Sequence, residues 1–191
     1  FMYLLLCALT TPRRALLLAL AFAFATTTWT TSSQALWQHG PGVLFIILTL
    51  AALELRPDSP WLAGLAAGIA ADCRPSNLLL LVVLVGVVAC TQRSFRSGAL
   101  VALPAALIGL PVVAYNWVIY GNVRGGYSVV HDSFRAFLPE GLSGVMISPS
   151  RGLLVYSPFL IAGFAGMYPV LRNSNLRRSP VYLVAALFVV T

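Results

Sequence analysis

Residues 60–91 read "PWLAGLAAGIAADCRPSNLLLLVVLVGVVACT", and whether they make one apolar segment or two sets the fold of the whole chain. A bilayer's hydrocarbon core is about 30 Å thick, so a spanning helix needs roughly 20 mostly apolar residues. The first part, 60–72, is rich in alanine and glycine but only thirteen residues long. The second, 76–91, is a leucine and valine run, and "DCRPSN" separates the two. Counting arginines decides between the readings. If the parts are two passes that turn at "DCRPSN", one face collects Arg13, Arg14, Arg56, Arg93, Arg96, Arg172, Arg177 and Arg178, leaving four arginines opposite. If they fuse, the downstream parity flips and the bias nearly vanishes. The excess of basic residues in cytoplasmic loops therefore favours two passes or a re-entrant pair, with those eight arginines inside.

Working outward, apolar runs of near-spanning length occupy 15–34, 38–55, 98–120 and 152–171, with partial ones at 1–10 and 180–191. Hydrophobic residues make up 59% of the chain and charged ones 9%, far from the balance of soluble domains, and the mean hydropathy is +0.88. The expected fold is all-α, a polytopic integral membrane protein of about seven to eight transmembrane or re-entrant helices. Residues 1–191 belong to a single multi-helix domain, with an extracytoplasmic loop at 121–151. The apolar pattern already runs at Phe1 and still runs at Thr191, so the chain is expected to be a piece of a longer membrane domain. Phe1 to Thr10 lacks the basic leader and small-residue site of a cleavable signal.

The net charge of +7 does not point to nucleic acid, because the twelve basic residues, all arginine, are scattered along loops between apolar runs. Cys7, Cys73 and Cys90 are odd in number, lack metal-ligand spacing and sit in apolar stretches. They read as small buried hydrophobes with no disulfide and no metal.

The inner connections are short, so chemistry belongs on the outer face. Three features lie there: "TTTWTTSSQALWQHGP" (26–41), "DCRPSN" (72–77) and the stretch from Gly121 to Arg151. In the second, two readings stand. Asp72 pairs with Arg74 in a simple turn, with Pro75 ending one helix and Ser76 or Asn77 capping the next. Alternatively Arg74 holds a lipid-linked phosphate, since a guanidinium forks two hydrogen bonds to phosphate oxygens. Gln38 and His39 either mark a polar helix start before Pro41, flanked by the interfacial Trp29 and Trp37, or line an outward cavity. His131 and Asp132 are adjacent and so diverge from each other, but either alone could serve as a general base. Asp132 is a catalytic candidate within the chain. Glu140, after Pro139, could begin a helix. "SPSRGLLVYSP" (148–158) puts Arg151 at the outer rim of the 152–171 helix, with Gly152 beside it for close approach of a helix or lipid chain.

Taken in order, "TTTWTTSSQALWQHGP", "GLAAG…RPSN", "YNWVIYGN…GGY" and "SPSRGLLVYSP" resemble bacterial GT-C superfamily membrane glycosyltransferases. The set most akin is that related to protein O-mannosyltransferases and the aminoarabinose transferases of lipid A. The resemblance implies transfer of a sugar from a polyprenyl-phosphate-linked donor to an extracytoplasmic acceptor, in a bacterial inner membrane. It implies a catalytic acid in a first outer loop upstream of this chain. Arg74, Arg151, His39, Gln38, Asn77 and His131 are then donor-lipid and cavity residues. Cations or a divalent metal would stabilise the departing phosphate; no cofactor motif is evident, and the expected partners are the sugar lipid and membrane lipids. A transporter, flippase or scaffold is the alternative. A transporter would place polar residues near the bilayer middle in repeated positions, whereas here they gather at one face.

Overall fold

The computed structural model describes residues 1–26, 28–34, 37–126, 138–149 and 152–156, and singly 161, 165, 168 and 172. Among them the secondary structure is all-α: α1 (Met2–Leu9), α2 (Pro12–Phe24), α3 (Thr28–Gln34), α4 (His39–Leu55), α5 (Pro60–Cys73), a 3-10 turn at Pro75–Asn77, α6 (Leu78–Thr91), α7 (Phe95–Tyr120), α8 (Leu138–Ile147) and α9 (Leu153–Tyr156). The stretch that opened the question is two helices. Pro75 forces the break: it disfavours helical backbone at the residue before it, and Arg74 is extended at φ −149°, ψ 121°.

α5 is the centre of the bundle. Pro60, Ala63, Gly64, Ala66, Ala67, Gly68, Ala70 and Ala71 are all buried, and the helix packs against α4, α6 and α7. Small side chains are what allow this. A Cβ on Gly64 would overlap the Val101 carbonyl oxygen, and one on Gly68 would lie 2.7 Å from the Ala105 Cα. One turn further, Asp72 Oδ1 stands 3.7 Å from where a Cβ of Gly109 would be. The pairs 64/101, 68/105 and 72/109 advance four residues at a time on both helices, so α5 and α7 run parallel in constant register. This is the small-xxx-small mode of helix contact, in which backbones touch and dispersion replaces large side chains.

The other neighbours of α5 are antiparallel to it. The start of α4 meets its end, with Gly42 packed near Cys73 and Asn77. Gly98 of α7 lies against Ala89 and Val85 of α6, which fits a reversal through the turn at 92–94. That turn holds Arg93 in the left-handed region at φ 49°. Leu53, Ala63, Ala67, Leu80, Leu84, Val87, Val88 and Val101 form the core, and Leu9 of α1 packs against it. The turns at 56–59 and 92–94 lie at one end with Arg56 and Arg93, and the turn at 74–77 lies at the other with Arg74.

Among the described residues, α7 is the one helix long and apolar enough to cross a membrane; α4, α5 and 75–91 are shorter apolar helices. The expected segments 38–55, 60–72, 76–91 and 98–120 each correspond to a helix, but the count of seven to eight spans rests on more than helix positions. The expected run 15–34 is broken. Thr26 bonds back to the Phe22 carbonyl at 2.6 Å and accepts the Thr28 N–H at 3.1 Å, closing α2 and starting α3. A threonine hydroxyl offering the backbone an alternative partner is the physical reason. Within 121–151 the structure adds α8, which contains Pro139 and Glu140. Cys7 and Cys73 are half-buried, but Cys90 is exposed, against the expectation of a buried thiol.

The end of α7 is tied down locally. Gly121 at φ 68° closes the helix by donating to the Trp117 carbonyl at 3.0 Å. Asn116 Nδ2 donates to the Val123 carbonyl at 3.3 Å, and Gly125, at φ 59°, lies so close that an added Cβ would be 2.5 Å from Asn116 Oδ1. Gly125→Ala is therefore expected to loosen this turn by about 1–2 kcal/mol, read as faster amide exchange at 121–126 with the rest of the bundle unchanged.

Candidate functional site

Arg74 ends α5 in an extended conformation, which throws its side chain away from its own helix and toward the start of α4. Its Nη1 lies 2.9 Å from Nδ1 of His39. A guanidinium only donates, so Nδ1 must be the acceptor, and in the neutral ring the proton then sits on Nε2. The Trp37 ring meets His39 edge-on, with centroids 5.3 Å apart at 66°. His39 and Arg74 are both half-buried. The pair keeps further donors, namely the remaining guanidinium N–H groups and the His39 Nε2–H. That arrangement suits an anion.

The two readings of "DCRPSN" are thereby separated. Arg74 reaches His39, and Asp72 turns to the opposite side of α5 to face Gly109 of α7. The expected Asp72–Arg74 pairing does not form, because the two residues leave the helix end in different directions. Asn77 does not cap α6 by its side chain. It is buried, and its Nδ2 reaches back to donate to the Ala70 carbonyl at 2.9 Å, an acceptor that also takes the Arg74 N–H at 3.1 Å. Asn77 is therefore a clamp that holds the end of α5, and with it Arg74, in place. Asn77→Asp, which puts a second acceptor against that carbonyl, is expected to cost about 1–3 kcal/mol, read as a lower thermal midpoint in detergent.

Gln38 flanks the first turn of α4, where its carbonyl accepts the Gly42 N–H at 3.0 Å and its side chain is exposed. The helix begins at His39, two residues before the expected start at Pro41. His131, Asp132 and Arg151 lie outside the described residues. Gly152 is buried, but by its own turn: an added Cβ would be 2.6 Å from the Ser148 carbonyl oxygen, and its N–H donates to that oxygen at 2.7 Å. Its small size serves the local backbone. Among the described residues no three His, Cys, Asp or Glu side chains gather as a metal site.

Trp37 was legible in the sequence only as an interfacial aromatic, and its contact with His39 was not. The signal for the Arg74–His39 pair is weak in sequence, being two polar residues on helix ends that a short hairpin brings together. No protein-family model, no curated protein and no solved structure matches the chain.

Proposed function

We propose that the protein is a membrane glycosyltransferase that takes a sugar from a polyprenyl-phosphate-linked donor and passes it to an acceptor on the extracytoplasmic face of a bacterial inner membrane. The observation that carries this reading is the Arg74–His39 pair, a guanidinium and an imidazole side by side at the end of the bundle opposite Arg56 and Arg93. A polyprenyl phosphate is an anion tethered to a hydrocarbon chain, and it would bring its head to such a place. As the glycosidic bond to the phosphate breaks, negative charge grows on the leaving oxygens. Donors already fixed in position lower the cost of that charge without reorganising.

The arginine bias supports the orientation, since Arg13, Arg14, Arg56, Arg93 and Arg96 precede or follow the turns of one end. The large apolar side chains exposed on α2, α6 and α7, such as Leu17, Val82, Leu107 and Val118, support immersion in lipid. The acid of this chain that would deprotonate the acceptor hydroxyl is Asp132.

The test is transfer of radiolabelled sugar from polyprenyl phosphate in membranes containing the full-length protein. Transfer above that of membranes lacking the protein supports the reading. No transfer, together with binding or translocation of the sugar lipid, replaces it with a transporter or scaffold.

A further inference from the structure

The contact between Arg74 Nη1 and His39 Nδ1, at 2.9 Å, admits one protonation state of the ring. A guanidinium keeps its charge and only donates, so the contact stands while Nδ1 carries no proton. A proton on Nδ1 would set N–H against N–H, and one cation against another, at hydrogen-bond distance. The titratable groups of the neighbouring elements are turned elsewhere. On α5, Asp72 faces Gly109 of α7, and Cys73 faces Gly42, where an added Cβ would lie 3.7 Å from the Cys73 Cβ. Glu54 is at the other end of α4. α3, which packs on α4, reads "TWTTSSQ" and carries no acid, base or thiol. α1, also packed on α4, brings Tyr3 and Cys7, which bond each other. Among the described residues, Arg74 is thus the charged group in contact with the imidazole.

We infer that the pair is a proton-linked anion site, at which the seating of a phosphodiester head and the protonation of His39 Nδ1 occur together. This rests on the reading of the pair as the place of a lipid phosphate and adds a regulation to it. A phosphodiester carries one negative charge and does not titrate near neutrality, so the linked proton belongs to the protein. Seated between the two side chains, the diester accepts the Arg74 N–H that Nδ1 had accepted. The freed Nδ1 then takes a proton from the solvent and donates to a second phosphate oxygen, and the anion offsets the repulsion between the two cations. Coupling of this kind is reciprocal: if the anion brings the proton, the proton brings the anion, and affinity rises as pH falls.

The experiment titrates hexadecyl methyl phosphate into the full-length protein in nanodiscs of zwitterionic lipid, with empty nanodiscs as the blank. Binding should tighten about tenfold from about pH 8 to about pH 5.5, with proton uptake seen as a heat that depends on the buffer. His39→Gln offers Arg74 an amide oxygen but gains no proton, and its binding should show neither the pH slope nor the uptake. Dimethyl phosphate, the same head without the chain, separates a lipid head from a free anion: weaker binding with the same slope supports the lipid source, and equal binding assigns the linkage to a free anion. Diester binding that is equal at both pH values, or a slope that survives His39→Gln, overturns the proton linkage and leaves the phosphate reading standing. No diester binding at any pH overturns both.

Discussion

Gly64→Leu is expected to abolish the packed bundle. The position has no room even for a methyl group, because an added Cβ overlaps the Val101 carbonyl oxygen, which is backbone and cannot rotate aside. The two helices would have to separate, and separation at residue 64 also pulls apart the Gly68–Ala105 contact one turn away. Overpacking a tight core commonly costs about 1–3 kcal/mol. Here the clash is with backbone on a helix buried along most of its length, so the loss lies at or above the top of that range. Gly64→Ala should fall within it. Thermal unfolding in detergent, with crosslinking of paired cysteines introduced on α5 and α7, measures the effect. A leucine variant with wild-type midpoint and crosslinks would mean that the α5–α7 contact is not what holds the bundle together.

Arg74→Ala carries the largest expected effect on activity. It removes the guanidinium and also frees the His39 Nδ1, so the ring is no longer held in the form that donates through Nε2. Loss of one preorganised donor to a developing anion costs about a hundredfold or more in turnover. On the proposed function, sugar transfer in membranes should fall by that order, with protein level unchanged because the side chain is only half-buried. Arg74→Lys should recover part of the loss, since it restores charge but not the planar fork. Wild-type turnover in the alanine variant would remove Arg74 from the reaction.

Much of the helical layout was legible because it depends on local pattern. Apolar run lengths located α4, α6 and α7, and arginine parity argued that the short segment 60–72 is a helix in its own right, which α5 is. Length alone would have rejected it, since fourteen residues rise only about 21 Å. The break after Ala25 escaped notice because a single threonine hydroxyl decides it, and "ATTTW" reads as continuous with the helix before it. The site was legible as a set of residues and not as an arrangement. His39 and Arg74 are 35 positions apart, and Asp72 and Arg74 two, yet the distant pair bonds and the near pair does not. Sequence separation says little about direction at a helix end, where one extended residue before a proline turns the chain out of the helical path. Asn77 shows the same limit, since its side chain serves the helix behind it.

The constant register between α5 and α7 also fixes a difference in height. Asp72 is one residue from the end of α5, while its partner Gly109 is eleven residues short of Tyr120. At 1.5 Å per residue, α7 stands about 15 Å taller than the end of the helix it leans on. The Asp72–Arg74 corner is thus the foot of a cliff, with Tyr115, Asn116 and Trp117 on the rise above it. A molecule approaching Asp72 from that end would descend alongside α7, so the lower helix makes the floor and the taller one the wall behind it.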